Sequence, residues 1–115
     1  MGAQWVVRAT RGLKGEISVP GDKSISHRSV MLATLLSQPV RLSGFLRSDD
    51  CLRTLAACRQ LGAEIKDEGS DLVVRGVGMT GLREPEDLID VGNAGTGIRL
   101  LLGLLAGQPF FSVLT

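Results

Sequence analysis

Two segments of the sequence share one pattern, in which a loop of small and polar residues and an arginine lead into an apolar run. The first is GDKSISHR at 21–28, followed by VMLATLL at 30–36. The second is GNAGTGIR at 92–99, followed by LLLGLLA at 100–106. Runs that are apolar on nearly every side predict helices that are buried all round. The recurrence predicts a repeated unit whose second copy is cut short at Thr115, and therefore a chain that is part of a longer one.

The segments around these two helices favour short strands and one further helix. Alternating apolar and polar residues bounded by Gly, Pro and Asp are typical of strands. Predicted strands cover 5–9, 15–20, 40–44, 63–66, 71–75 and 110–115, and predicted helices cover 25–36, the stretch from SDD at 48–50 to Gly62, and the run opened by NAGTG at 93–97. Strands and helices in this order predict an α+β fold made of α/β-type units.

The middle helix has a distinct apolar face, formed by Cys51, Leu52, Leu55 and Cys58,. The simplest interpretation of Asp49 and Asp50 is that they are helix caps. If both cysteines lie on this helix they are about 10 Å apart, which is too far for a disulfide. Two thiols in a chain with a single histidine also make no metal site,.

Composition excludes several classes of partner. The net charge is +1 and aromatic residues make up 3% of the chain, so neither a basic field nor stacking surfaces for nucleic acid are expected,. The longest apolar stretch, 100–107, is far shorter than the ~20 residues of a membrane-spanning helix,. The first twelve residues lack the layout of a signal peptide, so we expect a cytoplasmic protein,.

Lys23, Ser24 and Arg28 form the first group with candidate chemistry. At the start of a helix, amides without intrahelical partners, a hydroxyl, an ammonium and a guanidinium can together bind a phosphate. The alternative is that Ser24 or Asp22 caps the helix and the cations are solvated, although cations oppose the helix dipole at this end. His27 is either a packed, hydrogen-bonded residue or a proton carrier.

GNAGTGIR at 92–99 forms the second group. Asn93 or Thr96 can cap the helix, and Gly95 lets backbone amides approach a ligand closely. Arg99 can pair with an anion or with an acidic neighbour, Asp49 or Asp50. The alternative is a glycine-rich turn before a core helix. The nearby GVGMTG at 76–81 matches a dinucleotide fingerprint only by its letters, because Pro85 follows where a helix should begin,.

Three motifs in the same order and spacing resemble the 5-enolpyruvylshikimate-3-phosphate synthase family. These are PGDKSISHR at 20–28, SDD at 48–50 with LGAEI at 61–65, and GNAGTGIR at 92–99. The form with Asp22 and His27 is similar to one bacterial subgroup, whereas others carry a different small residue and an asparagine at those two places. The resemblance runs through nearly all of the chain.

The resemblance implies a fold and an activity. The fold is an inside-out α/β barrel built from repeated βαβαββ units, of which residues 1–115 would be a partial domain, about one unit and the start of a second. Residues 1–12 would pack with a second domain outside this chain. The activity is transfer of the enolpyruvyl group of phosphoenolpyruvate to the 5-hydroxyl of shikimate 3-phosphate, with release of phosphate and no metal or organic cofactor.

The resemblance also assigns residues. Lys23 would be catalytic and touch both substrates, while Ser24 and Arg28 would hold shikimate 3-phosphate. Gly95, with Asn93 and Thr96 beside it, would line the phosphoenolpyruvate pocket. Because Gly95 adds no methyl group there, sensitivity to glyphosate is expected of the intact enzyme. The general acid and base would lie beyond Thr115, so the 115 residues alone are expected to be inactive.

Two alternatives compete with this assignment. UDP-N-acetylglucosamine enolpyruvyltransferase shares the fold and donor, but it differs in this segment, where it has a Lys-Asn pair and no continuation like SISHR. A non-enzymatic phosphate-binding module would explain the short chain without any missing part.

Overall fold

The structure, a computed structural model, describes residues 2–115. Its helices and strands are α1 Lys23–Thr34, β1 Pro39–Ser43, α2 Asp49–Gln60, β2 Glu64–Asp67, β3 Asp71–Arg75 and α3 Gly95–Leu105. The predicted α+β class is therefore confirmed, with three helices and a three-stranded sheet in the described residues. Residues 76–81 are not followed by a helix, so the letters of the dinucleotide fingerprint lack their structural context.

The sheet has the order β1–β3–β2, and both pairings are antiparallel. The two outer strands are thus parallel to each other, and α2 connects them. Val40, Val74 and Ile65 lie side by side across the three strands. Because side chains alternate across a strand, these residues share one face of the sheet, and α1 and α2 cover it,. The core lies between this face and the helices.

Side-chain caps determine where two helices begin. The Asp22 carboxylate accepts from the amide of Ile25 at 2.7 Å, so α1 begins at Lys23, two residues before the predicted start,. The Ser48 hydroxyl caps α2, so Asp49 and Asp50 lie in its first turn and are not caps.

The predicted apolar face of α2 is partly wrong. Cys51, Leu55 and Cys58 are buried, but Leu52 is 41% exposed. Thr54, rather than Leu52, belongs to the buried face of α2, three residues after Cys51 and four before Cys58. A hydroxyl is tolerated there because it has a hydrogen-bond partner, described below.

The prediction that the first and third helices are buried all round is wrong as well. The outer faces of α1 and α3 expose Leu32 by 63% and Leu102 by 54%. The apolar character of these faces follows from the sequence, but no segment of the described chain covers them. No helix within residues 2–115 is long and apolar enough to cross a membrane.

The strands predicted at 5–9 and 15–20 are not formed. Residues 2–20 are exposed throughout, with Trp5 at 90%, and they lie in no strand. The radius of gyration is 17.5 Å, against about 13–14 Å for a compact chain of this length. A strand requires a neighbour for its backbone donors and acceptors, and the described chain provides none here. The strand predicted at 110–115 is reduced to a single parallel bridge between Ile89 and Leu114.

Candidate substrate-binding site

The first two turns of the three helices meet at one buried hydrogen bond. His27 Nδ1 lies 2.7 Å from the Thr54 hydroxyl, which joins α1 to α2, and both residues are fully buried. A Cβ atom on Gly97, in the first turn of α3, would lie 3.0 Å from that hydroxyl oxygen. Both predicted groups of functional residues are thereby brought to the same end of the helix layer.

The burial of His27 predicts a pH effect. Desolvation lowers its pKa below the ordinary value, and Lys23 acts in the same direction, while Asp50 opposes the shift,. The unfolded chain therefore takes up a proton near pH 6.5, where the folded chain does not. We expect the unfolding free energy to be unaffected by His27 above this pH and to fall as the pH is lowered through it.

This expectation can be measured directly, because His27 is the only histidine. An NMR titration of the imidazole protons of the 115-residue chain should give a midpoint below 6.5. In His27→Asn, the unfolding free energy should no longer fall as the pH is lowered through about 6.5. A midpoint at or above the ordinary value would contradict the burial of the ring.

Lys23 lies at the junction of α1 and α2. Its ammonium forms an ion pair with the carboxylate of Asp50, in the first turn of α2. The hydrogen bond and the charge of Asp50 raise the pKa of Lys23, so this side chain is cationic at neutral pH,. About half of the Lys23 side chain (52%) is still exposed, so it remains accessible to a ligand.

Ser24 and Arg28 lie on the exposed side of α1. Arg28 Nε donates to the backbone carbonyl of Ser24 at 3.2 Å, so the arginine folds back toward the start of the helix. Arg28 forms no ion pair with a carboxylate of residues 2–115. Its remaining donors are free for an anionic ligand near Ser24 and Lys23.

The starts of α1 and α3 offer different groups to an anion. At α1 the Asp22 carboxylate already accepts a hydrogen bond from the amide of Ile25. The alternative given above, that Asp22 caps this helix, is therefore correct for that amide. At α3 the N-cap is Ala94, with no side-chain hydrogen bond. The predicted caps Asn93 and Thr96 are therefore wrong, and the first amides of α3 keep their donors for a ligand.

Arg99 also folds back along its own helix, since its Nη1 would lie 3.5 Å from a Cβ on Gly95. The alternative that it pairs with Asp49 or Asp50 is wrong. Asp49 pairs with Arg53 at 3.6 Å, and Asp50 pairs with Lys23.

Arg53 connects α2 to the loop before α3, a role that the sequence analysis did not assign. Its Nη1 lies 3.0 Å from Asp90 Oδ2, and the other oxygen of Asp90 accepts from the amide of Gly92 at 2.8 Å. Gly92 has a φ of +60°, which favours glycine,. A pattern of opposite charges 37 residues apart gives no signal of such a contact before the fold is known.

The site is open. Lys23, Ser24, Arg28, Asn93 and Gly95 are exposed, and Thr96 is partly exposed. Five clefts on the surface of residues 2–115 are lined by other residues, and none of them includes Lys23 or Arg28. Within residues 2–115, no three His, Cys, Asp or Glu side chains are grouped as metal ligands.

Comparison with known proteins decides the family. The family model of EPSP synthase (3-phosphoshikimate 1-carboxyvinyltransferase) matches residues 7–115. The chain belongs to the EPSP synthase family. The resemblance inferred from the motifs is thereby confirmed.

Individual EPSP synthase relatives cover nearly all of this chain. The 3-phosphoshikimate 1-carboxyvinyltransferase of Citrifermentans bemidjiense is 53% identical over 111 residues, 96% of this chain and 26% of the relative. That of Shouchella clausii is 55% identical over 106 residues, 92% of this chain and 25% of the relative. The solved structure of EPSP synthase from Acinetobacter baumannii superposes with a TM-score of 0.82 at 43% identity, covering 88% of this chain and 23% of that one. The chain spans about a quarter of the length of the curated relatives it matches.

Proposed function

We propose that the chain is part of an enzyme that transfers the enolpyruvyl group of phosphoenolpyruvate to the 5-hydroxyl of shikimate 3-phosphate and releases phosphate. The observation that carries the proposal is the match of the EPSP synthase family model to residues 7–115. The convergence of cationic side chains and open helix amides at one end of the molecule is consistent with two phosphorylated substrates.

Each helix start contributes its own kind of group. Ser24 and Arg28 on α1 provide a hydroxyl and a guanidinium for the phosphate of shikimate 3-phosphate. The uncapped start of α3, at Gly95 and Thr96 with Asn93 beside it, provides backbone amides for phosphoenolpyruvate,. Lys23, which is cationic at the junction of α1 and α2, is proposed to touch both substrates.

Lys23 is proposed to stabilise the charge that develops during the reaction. The 5-hydroxyl loses its proton as its oxygen bonds to the enol carbon, and the neighbouring methylene gains a proton. The tetrahedral adduct then loses a proton from the new methyl group as the C–O bond to phosphate breaks, which restores the carbon–carbon double bond and releases phosphate. A fixed ammonium lowers the energy of the anionic species along this path. His27 is fully buried and hydrogen-bonded to Thr54, so it is not in reach of the substrates as a proton carrier, and the general acid and base belong outside this chain.

The exposed apolar surfaces support the proposal that a longer protein completes the site. Residues 2–20 and the outer faces of α1 and α3 expose apolar side chains such as Trp5, Ile17 and Leu102. Large apolar side chains exposed in such numbers are usually covered by another part of the protein. We assign residues 1–115 to a partial enolpyruvyl-transferase domain of a cytoplasmic enzyme, in which residues 1–12 pack with a second domain outside this chain.

A chimaeric enzyme tests the activity. The segment of the Citrifermentans bemidjiense relative that aligns with this chain is replaced by the corresponding residues of this chain. We expect the chimaera to release phosphate only when both substrates are present, and the 115-residue chain alone to release none. A chimaera that folds cooperatively but is inactive would overturn the proposal. Phosphate binding by such a chimaera without turnover would favour the phosphate-binding module instead.

Arg28→Ala tests the shikimate 3-phosphate site. Loss of one charge-assisted hydrogen bond should weaken the binding of shikimate 3-phosphate to the chimaera by ~10- to 150-fold. Arg75→Ala, which removes an exposed arginine at the end of β3, is the matched control. Isothermal titration calorimetry gives both affinities. Equal affinities of the Arg28→Ala variant and the unmodified chimaera would remove Arg28 from the site.

A further inference from the structure

One buried polar contact is not explained by the packing of apolar side chains. His27 and Thr54 are both 0% exposed, and they hydrogen-bond to each other at 2.7 Å. His27 Nε2 is buried without any partner in residues 2–115. A buried polar pair that leaves one nitrogen unpaired costs stability relative to an apolar pair of the same shape. Stability therefore does not account for this pair.

The position of this contact indicates the role. Gly97 is buried in the first turn of α3, and its backbone approaches the Thr54 hydroxyl so closely that a Cβ would lie 3.0 Å from Oγ1. The same Cβ would lie 3.6 Å from His27 Cε1. The hydrogen-bonded pair is therefore the surface on which the first turn of α3 rests. Gly95 and Thr96 belong to that turn.

We propose that His27 and Thr54 are positioning residues, which hold the first turn of α3 at a fixed distance from the start of α1. The proposal rests on the proposed function, because the turn carries Gly95 and Thr96, assigned above to phosphoenolpyruvate, and α1 carries Lys23. Neither His27 nor Thr54 touches a substrate. A hydrogen bond fixes the separation of α1 and α2 more tightly than two apolar side chains, which can slide past each other.

The test distinguishes a positioning role from a contribution to stability by comparing the effects of each variant on the KM values for the two substrates. In the chimaera, Thr54→Val keeps the shape and removes the hydroxyl, and we expect the KM for phosphoenolpyruvate to rise by about 10-fold. The KM for shikimate 3-phosphate should change little, since Ser24 and Arg28 lie on α1 itself. Thr54→Ser restores the hydroxyl and should restore the KM. His27→Asn, whose amide can replace the ring nitrogen, should also stay near the unmodified value.

Val74→Ala is the control for a loss of stability alone. Val74 is fully buried in β3, in the sheet rather than at the helix starts. This variant should unfold at lower urea concentration with both KM values unchanged. If Thr54→Val behaves like Val74→Ala, or if it raises both KM values equally, the positioning role is wrong.

Two further measurements keep the proposal testable if Thr54→Val does not fold or the unmodified chimaera is inactive. Gly97→Ala places a methyl group 3.0 Å from the Thr54 hydroxyl, which is buried and hydrogen-bonded to His27, so it should displace the turn and also raise the KM for phosphoenolpyruvate. An inactive unmodified chimaera would overturn the proposed function alone. In the 115-residue chain, Thr54→Val should then shift the amide resonances of Gly95 and Gly97, and Val74→Ala should not. Unshifted resonances would overturn the positioning role.

Discussion

Lys23→Met is expected to lower the kcat/KM of the chimaeric enzyme by about 10²- to 10³-fold, the cost of removing one preorganised group that stabilises developing charge. Methionine keeps most of the length of the side chain and removes only the cation. The ion pair with Asp50 raises the pKa of Lys23, so the full charge is present at neutral pH and is lost in the variant. Steady-state rates of phosphate release, with each substrate varied in turn, measure the effect.

Two variants control for other consequences of this change. Lys66→Met removes a lysine that is 75% exposed on β2, and it should leave the rates unchanged. Asp50→Asn removes the partner of Lys23 but keeps the cation, so its effect should be much smaller than that of Lys23→Met. If Asp50→Asn and Lys23→Met lowered kcat/KM equally, the ion pair rather than the ammonium would be the important feature. Retention of activity in Lys23→Met would remove Lys23 from the catalytic group.

Local signals in the sequence predict the helices and the sheet well. Gly62, with a φ of +115°, ends the middle helix as its residue type suggests, and the hairpin of β2 and β3 follows from the turn residues DEGS. Helix ends are less predictable because two caps can compete. Asp22, two residues before the candidate Ser24, is the residue whose carboxylate reaches the open amide.

Contacts between distant segments could not be predicted. The ion pair of Lys23 with Asp50 depends on the packing of α1 against α2, and no sequence period encodes it. The strands predicted at 5–9 and 15–20 have suitable residues but no neighbour among the described ones. Thr54 did give a signal that was missed, because a polar residue recurring in register with Cys51 and Cys58 indicates a buried hydroxyl with a partner,.

The starts of α1 and α3 are proposed to contribute different groups to substrate binding. In α1 a carboxylate already satisfies an amide, so the proposed contribution of α1 to anion binding comes from the side chains of Lys23 and Arg28. In α3 no side chain caps the first turn, so its contribution comes from the backbone. The two segments are therefore similar in sequence but differ in chemistry, because α1 has a side-chain cap and α3 has none.

Gly21→Ala is expected to have the largest effect on stability among the glycine variants next to the site. A Cβ on Gly21 would lie 1.9 Å from the carbonyl oxygen of Gly44 and 3.3 Å from the amide nitrogen of Leu46, both backbone atoms. Gly44 has a φ of +70° in the turn after β1, and because the atoms that the Cβ would meet belong to the backbone, no side-chain rotation can relieve the contact. We expect the unfolding free energy of the 115-residue chain to fall by about 2–3 kcal/mol, as for other overpacked sites.

The same substitution should also lower the activity of the chimaera, because Gly21 precedes Asp22, the cap that sets the start of α1 and so the position of Lys23. Gly103→Ala is the matched control, since a Cβ there meets no atom within 4 Å and the residue lies inside α3. It should raise the unfolding free energy by about 0.5–1 kcal/mol through helix propensity. Urea denaturation measures both free energies. Similar midpoints for Gly21→Ala and the unmodified chain would mean that the contact with Gly44 relaxes at little cost, and that the start of α1 is held mainly by the Asp22 cap.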